Sequence, residues 1–164
     1  MKKLTVWMIT LLSVEVSGTW AQSPDEVQIR QVIENLFTGM KKGDSTLVRS
    51  VFHETATMAT ALRNREQKAV LRRESSVDGF VKAVGTPRAD ALNEEIWGLE
   101  IKTDGDLAQA WCDFAFYVGK NFSHCGVNTF QLFRTEKGWK IFHIADTRRP
   151  TDCKIPDEIS TKYK

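Results

Sequence analysis

The side chains best suited to acid–base chemistry lie in the C-terminal third of the sequence. Asp113 and Tyr117 are four residues apart in an apolar run, and because side chains alternate along a strand, both project from one face. His143 lies in phase with Trp139 and Ile141 in a later run, where a neutral imidazole can accept a proton. Asp113 or His143 is therefore the predicted base if the sequence encodes an enzyme. The competing interpretations are a carboxylate outside any pocket and a structural, hydrogen-bonded histidine.

A second set of residues is suited to contact a ligand without reacting with it. Asn128 lies in phase with Phe130 and Leu132, so its amide can bind a ligand or satisfy a buried backbone group. His53 follows the second predicted helix beside Glu54, where a histidine facing solvent is the simpler interpretation. The predicted ligand-binding residues are Trp111, Tyr117, Asn128, His143 and His53.

Several classes of function lack support. His124, Cys125 and Cys153 are possible zinc ligands, but adjacent side chains on a strand diverge, so we predict no metal site. The sequence contains no Gly-rich phosphate loop, nucleophile elbow or HExxH motif, and we predict no cofactor. With 23 basic and 21 acidic side chains, the charge is nearly balanced and gives no electrostatic reason to expect nucleic acid.

The first half of the chain is predicted to be mainly helical. Ser23, Pro24 and Glu26 form a capping-box pattern, and the predicted helix runs to Lys42 before Gly43. Two shorter helices are predicted, one beginning at Asp44 and one carrying Val77 to Val84 after a Ser75 or Ser76 cap. Between them we predict a short strand, Thr55 to Ala61, and a polar surface segment, Arg63 to Arg73.

From Ala91 onward the periodicity becomes that of strands. Asp104-Gly105 and Lys137-Gly138 are turn signals, and they separate runs at Leu107–Gly119, Gly126–Thr135 and Trp139–Thr147. The first strand shows two faces, one with Asn93, Glu95, Trp97, Leu99 and Ile101 and the other with Leu92, Glu94, Ile96 and Glu100. Helices followed by a curved antiparallel sheet indicate an α+β cone that encloses a pocket.

The N-terminus has the three-part pattern of a secretory signal peptide. Lys2 and Lys3 precede an apolar run from Leu4 to Val16, and small residues end at Ala21. We predict a signal peptide at 1–21 cleaved after Ala21, an extracytoplasmic (periplasmic or secreted) location and no membrane contact thereafter. The remaining 143 of the 164 residues suit one domain, predicted at 22–150 with a C-terminal tail at 151–164.

The hairpin register makes a prediction about the cysteines. If Lys137-Gly138 is the turn, Cys125 pairs opposite Arg149 or Pro150, close to Cys153. A disulfide between Cys125 and Cys153 is therefore expected in an oxidising compartment, with two reduced thiols as the alternative. Cys112 is predicted to be a small buried hydrophobic residue.

The order of elements and several motifs resemble a known superfamily. The motifs are Gly105-Asp106-Leu107-Ala108, Trp111, Phe114-Ala115-Phe116-Tyr117, His124-Cys125-Gly126-Val127-Asn128 and Gly138-Trp139-Lys140-Ile141. The chain resembles the nuclear transport factor 2-like (NTF2-like, SnoaL-like) superfamily from about Pro24 to Arg149, and within it the bacterial group called "putative lumazine-binding". These are mostly packing and turn residues, which imply a fold rather than a reaction.

The resemblance implies three hypotheses about function. The first is an exported NTF2-like, cystatin-like roll that binds a small hydrophobic or aromatic ligand in its pocket and forms a homodimer through the sheet. The second is an isomerase- or cyclase-type enzyme with Asp113 or His143 as base, since related enzymes place such residues in the cone. The third is a dimeric scaffold without a ligand. A cystatin-like inhibitor fits less well, because the sequence lacks the Gln-Val-x-Gly-type hairpin tip and has too many helices before the sheet.

Overall fold

The structure, a computed structural model, describes residues 23–164. Its helices are α1 (Pro24–Lys42), α2 (Ser45–Val51), α3 (Asp78–Gly85) and α4 (Asp157–Ser160), the last followed by a 3₁₀ turn at Thr161–Tyr163. Its strands are β1 (Phe52–Arg63), β2 (Ala69–Glu74), β3 (Leu92–Asp104), β4 (Leu107–Val118), β5 (Asn121–Thr135) and β6 (Gly138–Thr147). The predicted signal peptide lies outside the described residues.

Helix α1 forms as its end signals predict. The Ser23 hydroxyl accepts a hydrogen bond from the Glu26 backbone N–H, and the Glu26 carboxylate accepts one from the Ser23 N–H. Gly43 ends the helix in the left-handed conformation, at φ 67°. The apolar stripe of α1 is buried and carries Ile29, Ile33, Leu36 and Met40.

The six strands form one curved sheet in the order β2-β1-β6-β5-β4-β3. Only the β1–β6 pair is parallel, and the other neighbours are antiparallel. The predicted α+β roll is therefore confirmed. The polar segment Arg63–Arg73 is largely exposed as expected, but its second half, from Ala69, belongs to strand β2, which pairs with β1. No residue of β2 is buried, so the hydrophobic alternation that identifies a strand in sequence is weak there.

The sheet has an inner face, which packs against α1 and α2, and an opposite outer face. Inner-face residues of β4 and β5 include Cys112, Phe114, Phe130 and Leu132, all almost fully buried. The core lies between this face and the helices.

A bulge in β3 corrects the face assignment made from sequence. Gly98 adopts φ 62°, and the pairing with β4 shifts between Trp97 and Glu100. One extra residue reverses the alternation, so Leu99 and Ile101 pack against the core on the same side as Ile96. They do not share a face with Asn93 and Glu95, contrary to strict alternation.

The C-terminal tail folds back over the outer face. Cys125 and Cys153 form a disulfide, next to the backbone bridge between Cys125 and Arg149. Beyond it, Tyr163 stacks on Tyr117 with ring centroids 3.7 Å apart. Among residues 23–164, no helix is long and apolar enough to cross a membrane.

Candidate functional site

A cavity of about 230 Å³ lies between the inner face of the sheet and the helices. Its apolar walls come from α1, α3 and four strands. They are Leu36, Phe37, Met40, Met58, Ala59, Phe80, Leu92, Phe114, Phe116 and Ile144. Such a largely apolar wall with a few polar groups is typical of small-molecule sites.

The polar side of this cavity is centred on Glu94 and Asn128. Asn128 Nδ2 donates a hydrogen bond to Glu94 Oε1 at 2.6 Å. Glu94 pairs with Phe116 of β4, and Asn128 pairs with Cys112, so the contact spans β4 diagonally on the inner face. Asn128 is only 3% exposed, and this hydrogen bond satisfies part of its buried amide.

Asp146 lies beside Asn128 and has its own partners. The two residues pair directly across β5 and β6. Asp146 Oδ1 accepts a hydrogen bond from Thr60 Oγ1 at 2.5 Å, and Oδ2 accepts one from Arg148 Nε at 2.6 Å. The guanidinium compensates the Asp146 charge, because the pair is close and the carboxylate side chain is only 13% exposed.

Glu94 has no such cation within hydrogen-bond distance among the described residues. Burial of its carboxyl group raises the pKa to about 7, from an ordinary value of 4.5. The Asn128 hydrogen bond opposes this rise, the charge of Asp146 adds to it, and Arg148 opposes it more weakly. At neutral pH Glu94 therefore exists in both protonation states and can accept or donate a proton.

His124 and Arg148 complete the polar lining, and His124 lies on β5. It pairs with Phe116 across β4 and β5, in the same row as Glu94. Burial and the nearby Arg148 lower the pKa of its imidazole despite the opposing charge of Asp146. The ring is thus mainly neutral at pH 7, with Nδ1 hydrogen bonded to Ser123 Oγ at 3.0 Å.

Of the five residues predicted to bind a ligand, Asn128 lines this cavity. Trp111 lies on the outer face and is 52% exposed. Tyr117 is in phase with Trp111 on the outer face of β4 and lies beneath Tyr163 of the tail, which covers this part of the strand. Contact of Trp111 or Tyr117 with a ligand stays a prediction, and such a contact would lie outside this cavity.

The two predicted bases also lie away from the cavity. Asp113 shares the outer face of β4 with Trp111, since it pairs with Val127 while the residues on either side of it are buried in the core. His143 Nδ1 is hydrogen bonded to Thr57 Oγ1 at 2.7 Å. His53 Nδ1 contacts Thr55 Oγ1 at 2.9 Å, and its ring packs on Phe133. The structure does not bring these three groups together.

Glu94 and Asp146 are acidic residues of the cavity, and neither is among the site residues predicted from the sequence. A signal for Glu94 is present in the sequence, because it lies in phase with the apolar residues Leu92 and Ile96. Asp146 is likewise in phase with Ile144. Among residues 23–164, no three His, Cys, Asp or Glu side chains are grouped to hold a metal ion.

Comparison with known protein families gives one match. The model of the family described as "Putative lumazine-binding" matches residues 24–143. The chain belongs to this family. The matched region of the family extends from the start of α1 to His143 in β6 and includes Glu94 and Asn128. No curated protein matches the chain.

Solved structures share the fold at low sequence identity. A cystatin-like-fold protein of unknown function from Nostoc punctiforme has a TM-score of 0.62 at 10% identity, with 79% of this chain and 95% of that one covered. An NTF2-like protein of unknown function from Pseudomonas putida has a TM-score of 0.60 at 20% identity, covering 79% and 89%. A "putative dehydratase" of the NTF2-like family from Streptomyces avermitilis has a TM-score of 0.58 at 14% identity, covering 76% and 96%. The chain therefore shares the NTF2-like, cystatin-like fold of these proteins.

Proposed function

We propose that this NTF2-like domain binds a small, largely apolar ligand in the cavity, with Glu94 and Asn128 contacting the polar group of the ligand. The observation that carries the proposal is a hydrogen-bonded carboxyl–amide pair on the wall of an otherwise apolar cavity. Buried polar groups are costly unless they serve structure or recognition, and this pair leaves acceptor atoms facing the open space.

Native mass spectrometry of the protein purified from its own host tests this proposal. We expect a reproducible bound small molecule. Met58 lies beside Ile144 on the inner face and lines the cavity, so Met58→Trp should reduce the bound fraction by occupying part of the space. The control is Ala145→Leu, which enlarges a residue outside the cavity lining and should retain the molecule. An empty wild-type protein, or equal retention by both variants, would contradict the proposal.

A second candidate function is an acid–base enzyme that uses the same cavity. The near-neutral pKa of Glu94 favours it, because general acids and bases work best when their pKa lies near the operating pH. Glu94 replaces Asp113 and His143 as the candidate base. If the molecule found by mass spectrometry is converted on incubation, Glu94→Gln should slow the conversion about 100-fold or more. An unchanged rate would exclude Glu94 as the catalytic group.

We also propose that two copies associate through the outer face. Trp111 and Leu107 are 52% and 55% exposed on this face, which is more apolar surface than isolated side chains normally leave. Glu100 and Lys102 flank Trp111, so a two-fold contact can match opposite charges. Sedimentation velocity should show a dimer that Trp111→Lys dissociates. A monomeric wild-type protein at high micromolar concentration would contradict this proposal.

Export from the cytoplasm is proposed on two grounds. The N-terminal pattern is that of a signal peptide, and the Cys125–Cys153 disulfide is typical of oxidising compartments. The N-terminus of the protein isolated from its host should be Gln22. An N-terminus at Met1 or Lys2 would contradict cleavage.

A further inference from the structure

The polar side of the cavity is formed by Glu94, Asn128, Asp146, Arg148 and His124, and two acceptor oxygens of this set have no donor among the described residues. Glu94 Oε1 accepts from Asn128 Nδ2, but within residues 23–164 no side chain or backbone group donates to Glu94 Oε2 or to Asn128 Oδ1. A carboxylate has room for several donors and an amide oxygen for two. These two oxygens are therefore open to a donor from a ligand.

The charges around Glu94 also leave it without a counterion. On β6 and just beyond it, Asp146 and Arg148 pair with each other. On β5, His124 is mainly neutral, and on β4 the buried Cys112 thiol has its pKa raised to about 12 and is uncharged. The residues that α1, α3 and β1 contribute to the wall are apolar. An ionised Glu94 thus gives the cavity one uncompensated negative charge.

The remaining walls suit an organic cation. Phe37, Phe80, Phe114 and Phe116 surround the same space, and aromatic faces attract ammonium groups, more strongly where water is excluded. A cavity of about 150 Å³ is known to admit benzene, so the larger space here accommodates a single ring with a short polar arm.

We propose that the cavity selects a small primary amine with an aromatic or apolar body, whose ammonium donates to Glu94 Oε2 and Asn128 Oδ1. This inference rests on the proposed ligand-binding function and names the ligand class. A primary ammonium carries three donors, which is enough for both oxygens and one further acceptor. The apolar body packs among the phenylalanine side chains, where its transfer from water is favourable.

The pairing couples binding to the ionisation of Glu94. The ammonium binds the carboxylate form, whereas the empty site is half protonated near pH 7. Affinity for the amine should therefore rise from pH 6 to pH 8, since alkyl amines stay protonated across this interval and below pH 7 each unit changes the ionised fraction about tenfold. A ligand that accepts a hydrogen bond from protonated Glu94 would show the opposite dependence.

Calorimetric titration with benzylamine and benzyl alcohol tests the inference, because the two compounds differ mainly in the charged donor. We expect benzylamine to bind wild-type protein at least tenfold more tightly than benzyl alcohol at pH 8. The ratio of the two affinities should be about tenfold lower at pH 6 than at pH 8. Glu94→Gln should abolish the preference and its pH dependence, while the control Asp113→Asn, which neutralises a carboxylate on the outer face, should retain both.

The outcomes separate this inference from the function on which it rests. Equal binding of the two compounds, or tighter binding of the alcohol, overturns the amine selectivity and leaves the ligand-binding function standing. Binding of neither compound also overturns it, and native mass spectrometry then decides the ligand-binding function independently. Circular dichroism of Glu94→Gln establishes that a lost preference does not come from unfolding.

Discussion

Asn128 donates a 2.6 Å hydrogen bond to Glu94 across strand β4, and this contact organises the polar side of the cavity. The amide lowers the pKa of a carboxyl group that burial raises. The result is a carboxyl group whose charge changes near neutral pH. A buried carboxyl group with a pKa near neutrality is more typical of a functional site than of a structural contact. Two apolar side chains would fill this part of the wall at a lower cost in free energy.

Replacing Asn128 by Leu should raise the pKa of Glu94 above its present value. The variant removes the hydrogen bond that favours the ionised form, and hydrogen bonds to charged groups contribute about 1.5–3 kcal/mol, equivalent to about one pKa unit or more. A ¹³C NMR titration of the glutamate side-chain carboxyl measures the change. Thr129→Ala, which alters the neighbouring position on the outer face, should leave the pKa unchanged, and an unaltered pKa in Asn128→Leu would refute the assignment.

Glu94→Gln should stabilise the protein at pH 8 but have little effect near pH 4.5. The folded-state pKa of Glu94 lies above its unfolded value, so folding favours the protonated form and wild-type stability falls as pH rises from about 4.5 to 7. Glutamine avoids that loss, and since one pKa unit is worth about 1.4 kcal/mol, we expect a gain of about 1–3 kcal/mol at pH 8. Urea unfolding at both pH values measures it. Equal stability of the two proteins at pH 8 would show that Glu94 carries no such penalty.

Glu95, the next residue on β3, should show the opposite pH dependence. Its partial burial raises the pKa, but hydrogen bonds from Lys162 Nζ and Tyr163 Oη outweigh this and lower it overall. A lowered folded-state pKa stabilises the protein above the unfolded pKa and loses that effect as pH falls below it. Glu95→Gln should therefore destabilise the protein at pH 7 and approach wild-type stability near pH 3, as measured by the same unfolding experiment. Destabilisation that persists unchanged at pH 3 would contradict this electrostatic account.

The sequence predicts those features of the fold that depend on local signals. The cap at Ser23, the stop at Gly43 and the turns before Leu107 and Trp139 all use residue types that these local structures favour, a hydroxyl at the cap and glycine at positive φ. The Cys125–Cys153 pairing follows from the second of those turns, because a hairpin register extends along the strands.

The cavity residues depend on information that local patterns do not contain. Strict alternation fails in β3, because Gly98 introduces a bulge whose position is not signalled by a hydrophobic pattern. The two faces of β4 are similarly apolar in sequence, since the tail buries Tyr117 on one side while the helices bury Phe114 on the other. The face that encloses the cavity is set by where the helices pack, and this tertiary arrangement places Glu94 rather than Asp113 on the cavity side.

Loss of the disulfide should release the tail from the outer face. The Cys125→Ala, Cys153→Ala double variant removes a crosslink across 28 positions, and loops of this size contribute about 3 kcal/mol. We expect that loss of stability in urea and faster trypsin cleavage after the exposed Lys154. Wild-type protein treated with a reductant should behave in the same way. Wild-type cleavage rates in the double variant would show that the Tyr163–Tyr117 stack and the Glu95 contacts hold the tail alone.

Two glycine-to-alanine changes should have opposite effects on stability. A Cβ at Gly126 would lie 1.8 Å from the Thr147 carbonyl oxygen and 2.8 Å from Phe114, so β5 must separate from neighbouring backbone beside the cavity. A Cβ at Gly79, in α3, meets nothing within 4 Å, and alanine there should stabilise the helix by about 0.5–1 kcal/mol. We expect Gly126→Ala to cost about 2 kcal/mol or more, in the range of other overpacked sites, and to weaken ligand binding by displacing Phe114. Urea unfolding of both variants measures the difference. A Gly126→Ala protein as stable as wild type would show that the close approach of β5 to Thr147 is not required.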